Sequence, residues 1–497
     1  MNEILQIIKA ETLTFEQRVN ALAKAAENSL SVLDYSEDFI KLKDEGIICD
    51  LFEGNAPYRP RYIVPDYEKL IKEGCDFLKL TPPSDIWEAV NALLIFYKHV
   101  PSITNFPVYI GNIDKLLDPF IKDEEEAYKA IKLFLMHIDR TITDSFCHAN
   151  IGPDTNKAAM LILKATRELE TSIPNITLKY NSNTPDELAI ESIKTALVTA
   201  KPSFANDKIF IDDLGENYAI VSCYNGLYIG GGSYTLSRLN LANLAKSADS
   251  IDDFMNNKLP HAVKVMNEYM DERIKFIVEE TPFFKTHFLV KEGFISKDKF
   301  TAMFGLVGLA ECVNELSNAV ELNDKFGHSD KANKFGYEII EKLYNEVKKH
   351  VNPYCKVSEG NFLLHAQVGI DTDLGVSPGC RIPIGQEPEL YDHIIQSAEF
   401  HKFFPSGIGD IFAFDETSKK NPEFILDIIK GAFSQKMRYF SLYSSDCDVI
   451  RITGYLVKKS EMKKLERGEA VLRDTTVLGM GAANNCNVLN RKVRKND

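Results

Sequence analysis

Nowhere in the 497 residues do two cysteines form a CxxC pair, and no apolar run reaches the roughly 18 residues a membrane helix needs. The nine cysteines, at 49, 75, 147, 223, 312, 355, 380, 447 and 486, are odd in number and scattered, so neither a disulfide framework nor a paired-cysteine zinc site is signalled. The opening MNEILQIIKAETLTFEQR carries charge every few residues and lacks the apolar core and cleavage site of a signal peptide. A reducing cytoplasm is the compartment expected. Glycine and proline together make 27 + 20 = 47 residues, too few for a fibrous or linker-rich chain. No long Lys/Arg block precedes the last forty or so residues and the net charge is 58 − 72 = −14, which argues against nucleic acid as the main partner but leaves a nucleotide open as a small substrate. What is present is ordinary for a soluble enzyme: 44% apolar and 26% charged residues. A chain this long buries enough apolar surface without disulfides or structural metal, and accommodates either three domains or one large α/β barrel.

Residues 1–170 read mostly as amphipathic helices separated by proline-rich loops. One such loop is Glu53–Pro65, whose prolines at 57, 60 and 65 forbid a helix. Strand and helix signals alternate beyond residue 170. Pro185–Ala200 begins with Pro and acids and has helical apolar spacing. Tyr218–Cys223 (YAIVSC) is a short apolar run bounded by turn residues, a strand signal. Lys297–Ala319 shows helix-like spacing at Phe300, Phe304, Val307 and Ala310/Glu311. Phe424, Ile425, Ile428, Ile429, Ala432 and Phe433 make a helical stripe that leads into Met437–Tyr443, a polar turn, and then Val449–Val457 (VIRITGYLV) as a strand. Alternating strands and helices predict an α/β fold with parallel strands.

Two places carry chemistry. In SCYNGLYIGGGS, a strand ending on Cys223 and leading toward Gly230–Gly232 puts a thiol at a strand tip, where α/β proteins place substrate sites. A buried core cysteine is the plainer alternative, and three glycines without a phosphate-loop pattern do not establish a phosphate cradle. In Arg451–Tyr455 (RITGY), Gly454 interrupts a β-branched run, which by itself signals a bulge or a close backbone approach.

Together these two places resemble the glycyl radical enzymes, with R-[IV]-x-G-Y near the C-terminus and a cysteine-tipped strand far upstream. Further matches keep the same order. Ile173–Leu188 (IPNITLKYNSNTPDEL) and Pro202–Lys208 (PSFANDK) are similar to segments of the pyruvate formate-lyase-like group. Met303–Glu311 (MFGLVGLAE) is similar to a helix shared with anaerobic ribonucleotide reductases. The blocks Ile48–Tyr67 and His99–Phe120 resemble the YjjI family, and that resemblance covers essentially the full length.

The resemblance implies a ten-stranded α/β barrel of two five-stranded parallel half-sheets set antiparallel, surrounded by helices and threaded by a Cys loop and a Gly loop. It implies three parts: a helical region over 1–170, the barrel with its Cys loop over 171–440, and a radical segment with a basic tail over 441–497. Gly454 then stores a radical and Cys223 is the transient thiyl, acting anaerobically on a small polar substrate. Glycine suits storage because it lacks the Cβ that would hinder a planar Cα radical. The implied partner is a radical-SAM activating enzyme with a [4Fe–4S] cluster that uses S-adenosylmethionine. No metal or organic cofactor is expected on the chain itself, no membrane association is expected, and the assembly expected is a homodimer. Asn225, Asn240 and Glu311 are candidate pocket residues. Cys380 and Cys447 are possible second thiols, and His365 reads as a core histidine.

Three features depart from well-known members of the class. Position 225 is Asn, which cannot take a proton, where eliminating members carry Cys-x-Glu. Ser222 and Tyr224 flank Cys223, where pyruvate formate-lyase has adjacent cysteines. The paired zinc cysteines of the reductases are absent. Alternative readings are a ribonucleotide reductase-like activity and a barrel scaffold that has lost the radical.

Overall fold

The computed structural model describes residues 3–29, 31–49, 58–102, 106–366 and 374–495. Part of the proline-rich loop, residues 53–57, lies outside the described residues, as do 103–105 of the His99–Phe120 block. Helices Phe15–Glu27, Glu37–Asp44, Ile86–Tyr97 and Glu124–Thr141 occupy much of the N-terminal region. Each begins with a side chain (Thr14, Ser36, Asp85 and Asp123) that accepts a backbone N–H of the first turn.

Strands β1 (Ile48–Cys49) and β2 (Tyr62–Val64) interleave with these helices. Strands β3 (His148–Ile151), β4 (Asn175–Tyr180) and β5 (Ser203–Asn206) run parallel, joined by helices Lys157–Leu169 and Asp186–Thr199. An antiparallel hairpin follows, β6 (Tyr218–Val221) and β7 (Asn225–Tyr228). A second parallel series is β8 (Gly231–Asn240), β9 (Phe300–Val307) and β10 (Leu363–Ala366). Strands β11 (Asp410–Phe414) and β12 (Tyr439–Ser444) are parallel across helix Pro422–Ser434. The C-terminal segment holds a hairpin, β13 (Val449–Arg451) and β14 (Leu456–Lys458), helices Lys459–Glu466 and Asp474–Asn485, and β15 (Val493–Arg494) beside β11.

Direction reverses at two places: β5 lies antiparallel to β12, and β2 antiparallel to β8. The segment around Asn112 joins β3 in parallel through Asn150, and the Ala366 N–H reaches the Gly407 carbonyl between β10 and β11. One half comprises residues 108–112, β3, β4 and β5, and the other β8 to β12, with β2 antiparallel on the edge of β8. This is the expected barrel of two half-sheets. Strands β2 and β3 belong to it although they precede residue 171; at three and four residues, buried throughout, they are too short to show a strand period.

Three local expectations change. Phe300–Val307 is strand, and only Leu309–Leu316 of that region is helix, because a strand buried on both faces reads as one apolar run that periodicity cannot assign. Val449–Val457 is two strands with Gly454 in the turn between them, not a single strand with a bulge. The segment after Cys223 turns straight into β7 before the glycines, and Gly231 and Gly232 start β8. A Cβ on either would lie 2.0 Å from a carbonyl oxygen, of Lys299 and Tyr62 respectively, so these glycines permit strand packing rather than cradle an anion. In the basic tail, Arg473, Arg491 and Arg494 are buried.

Candidate active site

Strand β4 has the sequence NITLKY, polar and apolar residues alternating, yet every residue is buried. Alternation puts Asn175, Thr177 and Lys179 on one face and Ile176 and Leu178 on the other. The apolar face joins the main core with Ile162 and Ile193 of the covering helices. The polar face points into the barrel, as do His148 and Asn150 of the neighbouring β3.

Those inward polar groups hold the β6–β7 hairpin. Lys179 Nζ donates to the Tyr218 carbonyl at 2.7 Å. The Asn150 amide donates to the Ile220 carbonyl at 2.8 Å and accepts its N–H at 2.9 Å. His148 Nδ1 lies 2.8 Å from the Ser222 carbonyl oxygen, and the Ser222 N–H donates to the Val108 carbonyl at 3.0 Å. Side chains thus stand in for a missing neighbour strand along the free edge of β6, as buried backbone groups require.

Cys223 lies in the hairpin turn, beside Ser222 in the left-handed region at φ 58°. Its thiol is buried, and desolvation pushes its pKa up to about 12, against smaller opposite effects from the Ser222 hydroxyl, Arg451 and Arg381. The S–H therefore stays protonated at neutral pH. The Tyr439 hydroxyl has one proton for two acceptors, Thr177 Oγ1 at 2.7 Å and the Cys223 carbonyl at 3.2 Å. Thr177 in turn meets His148 Nε2 at 2.7 Å, and burial lowers the His148 pKa to about 3, keeping its ring neutral. Behind the turn, Gly226 N–H donates to Ser406 at 2.9 Å, and the Gly407 backbone approaches so closely that a Cβ there would meet Tyr224 O at 2.4 Å.

Gly454 occupies the turn of β13–β14, closed by the Ile452 N–H donating to the Tyr455 carbonyl at 3.1 Å. Asn175 Nδ2 donates to the Gly454 carbonyl at 3.2 Å, while Asn175 Oδ1 accepts from Arg451 Nη2 at 3.1 Å. Arg451 also donates to Ala200 O at 2.8 Å, and burial lowers its pKa to about 10. Arg491 donates to the Arg451 and Ile452 carbonyls and to the Tyr443 hydroxyl, each at 3.2 Å. The two turns are thus tied to one face of β4, Gly454 by Asn175 and Cys223 through Thr177 and Tyr439. Residues two apart on a strand stand about 7 Å from each other. Cys223, Tyr439, Ile452 and Tyr455 share one buried apolar cluster.

The remaining expected residues fall elsewhere. Asn225 opens β7, buried, two residues from Cys223. Asn240 ends β8 and spends its side-chain oxygen capping helix Leu241–Lys246, accepting the Asn243 N–H at 3.1 Å. Glu311 sits in the first turn after β9, where its carboxylate accepts from the Ser377 hydroxyl at 2.6 Å and burial raises its pKa. Asn240 and Glu311 stand at the ends of paired strands, and neither has a hydrogen bond to the Cys or Gly hairpin. His365 is a buried, neutral histidine against the Ser406 carbonyl at 3.2 Å, its pKa lowered to about 3 by burial. The Cys447 thiol donates to Leu197 O at 2.8 Å, and Cys380 is buried. Sequence reasoning passed over His148, Asn175, Thr177 and Tyr439 as individual site residues; the signal available was the polar face of NITLKY.

Solved structures share this architecture. A glycerol dehydratase from Clostridium butyricum superposes with a TM-score of 0.68 at 13% identity, covering 100% of this chain and 89% of that one. An anaerobic ribonucleotide reductase gives 0.69 at 13% identity, covering 94% and 84%. The fold is therefore that of the glycyl radical enzymes. Within that class the chain belongs to the YjjI-like glycyl radical enzyme family, whose family model matches residues 13–494. An uncharacterised protein of Haemophilus influenzae is 48% identical over 99% of this chain and 98% of its own length. Among the described residues no helix is long and apolar enough to cross a membrane.

Proposed function

We propose that Gly454 stores a Cα radical and that Cys223 uses it to abstract hydrogen from a small polar substrate. The observation that carries this reading is the attachment of both hairpin turns to the inward face of β4, through Asn175 and Thr177. In the working cycle the Cys223 S–H hydrogen passes to the Gly454 Cα radical, leaving a thiyl. The thiyl takes hydrogen from a substrate C–H, reforming S–H, and the product radical reclaims that hydrogen before the spin returns to Gly454. A protonated thiol is the form this exchange needs, and burial supplies it. The enclosed hairpins keep bulk water from the radicals. Position 225 being Asn, the residue two after the thiol orients by hydrogen bonding and does not act as a base.

Activation is assigned to a separate radical-SAM enzyme carrying a [4Fe–4S] cluster, which removes one hydrogen atom from the Gly454 Cα with S-adenosylmethionine as the radical source. The test is anaerobic activation followed by exposure to air. The chain should be cut at Gly454, giving a fragment that lacks residues 455–497, and Gly454→Ala should remain whole. Cleavage elsewhere, or equal cleavage of the variant, would place the radical on another residue.

A further inference from the structure

Beside Cys223 stands a buried cation with most of its hydrogen-bonding capacity unspent. The Arg381 side chain is only 8% exposed. Its Nε donates to the Gly409 carbonyl at 2.9 Å and lies 4.0 Å from Asp410, whose carboxylate is already held by His393 at 2.8 Å and the Ile411 N–H at 2.7 Å. Both terminal nitrogens, Nη1 and Nη2, are buried without a hydrogen-bond partner among the described residues. The guanidinium carbon lies 5.6 Å from the ring centroid of Tyr224, the residue next to the thiol, and its charge acts on Cys223 itself.

An unpaired fork on a buried charge is costly, more so than an orphaned neutral donor. Tyr224 fixes one side of this group, its hydroxyl donating to Ala366 O at 2.6 Å, and Gly409 fixes the Nε. The two terminal nitrogens carry parallel N–H donors, the arrangement that matches the two oxygens of a carboxylate.

We propose that Arg381 binds the carboxylate of the substrate, so that the enzyme acts on a small carboxylic acid held beside Cys223. The inference deepens the radical reading, on which the word substrate rests; the binding itself needs no radical. Asp410, 4.0 Å away, already offsets part of the guanidinium charge, which favours a singly charged carboxylate over a phosphate dianion.

The test uses the unactivated full-length chain and thermal unfolding, since a ligand of the native state raises Tm. The probes are acetate, lactate and glycerate, each against its neutral amide, with inorganic phosphate alongside. At least one carboxylate should raise Tm where its amide does not; Arg381→Gln should abolish that shift, Arg381→Lys should reduce it, and Cys223→Ser should keep it. Equal responses to acids and amides, no response to any acid, or a shift that survives in Arg381→Gln would overturn the proposal. A larger response to phosphate would overturn the choice of carboxylate. Should Arg381→Gln not fold, the acid–amide difference in the parent and its reduction in Arg381→Lys decide alone. A carboxylate shift in a protein that forms no glycyl radical would leave this site standing while the radical reading failed.

Discussion

The two hairpins on the inner face of β4 are held in different ways. The Cys223 hairpin is tied along its own backbone by groups of the barrel wall: Lys179, Asn150, His148 and Val108 on one edge, Tyr439 and Ser406 at the turn. The Gly454 hairpin receives fewer wall contacts, from Asn175, Ala200 and the Ser145 hydroxyl, which accepts the Leu456 N–H at 3.2 Å. Much of its support comes from its own segment through Arg451 and Arg491, and among the described residues Arg451 Nη1 and Thr453 Oγ1 are buried without partners. The difference teaches which loop is part of the frame. Cys223 is built in, whereas Gly454 rides on a segment held largely by its own side chains, the part that the proposed activation would have to expose. That segment is not held by weak surface pairs alone. Arg473 bridges buried Asp139 and Glu461, and Arg494 reaches His393 at 2.9 Å and Pro388 O at 2.7 Å. Breaking such buried pairs costs several kcal/mol, against at most about 1 kcal/mol for an exposed pair.

Changes at the two turns have the largest expected effect and should be asymmetric. Cys223→Ser should still accept the glycyl radical yet show no turnover, since a hydroxyl O–H is too strong a bond to donate hydrogen to Gly454. Gly454→Ala should show no stable radical at all. Electron paramagnetic resonance and substrate loss read both. A Cys223→Ser protein that still turns over would mean that another thiol does the work.

Next come the tethers. Arg473→Ala removes the cation shared by Asp139 and Glu461, which among the described residues keep only the Ser172 and Ile173 N–H groups and the Thr476 hydroxyl, and should destabilise the C-terminal segment by about 3 kcal/mol. Asn150→Ala orphans the Ile220 N–H and carbonyl and should cost about 2–4 kcal/mol, centred on the other hairpin. Hydrogen exchange should separate them, with faster exchange over 445–494 in the first variant and over 218–228 in the second. Speeding of both hairpins in both variants would mean that the two move as one body.

The smallest effect is read from pH. His148 is neutral in the fold, its pKa lowered from 6.5 to about 3 by burial. A depressed value contributes stability that is whole above pH 6.5 and is lost as pH falls toward 3, because the unfolded chain takes up the proton first. Within that window His148→Gln should make the acid loss shallower by about 1.4 kcal/mol per pH unit in denaturant unfolding. An unchanged slope would show that the ring is already charged in the native state.

Much of this was legible from residues. The Pro185–Ala200 and Phe424–Phe433 stripes became helices Asp186–Thr199 and Pro422–Ser434, and RITGY and the Cys-bearing run marked the two turns. What sequence reasoning missed follows a physical rule. Buried strands such as Phe300–Val307 lose their period when both faces are apolar. Polar residues such as Asn150, Asn175 and Thr177 look like surface when read singly, because the interior they face is defined only once distant hairpins thread it. Arg381 was invisible for the same reason, since its open fork exists only beside Tyr224 and Gly409.

The central claim is that Cys223 and Gly454 exchange one hydrogen atom. A glycyl radical keeps a single Cα hydrogen, which splits its resonance into a doublet, and a thiol hydrogen exchanges with solvent. Protein activated anaerobically and moved into D2O should therefore lose the doublet splitting, as deuterium passes from the Cys223 thiol to Gly454, while Cys223→Ser keeps it. A doublet that persists in the parent, or that collapses equally in Cys223→Ser, would contradict the account.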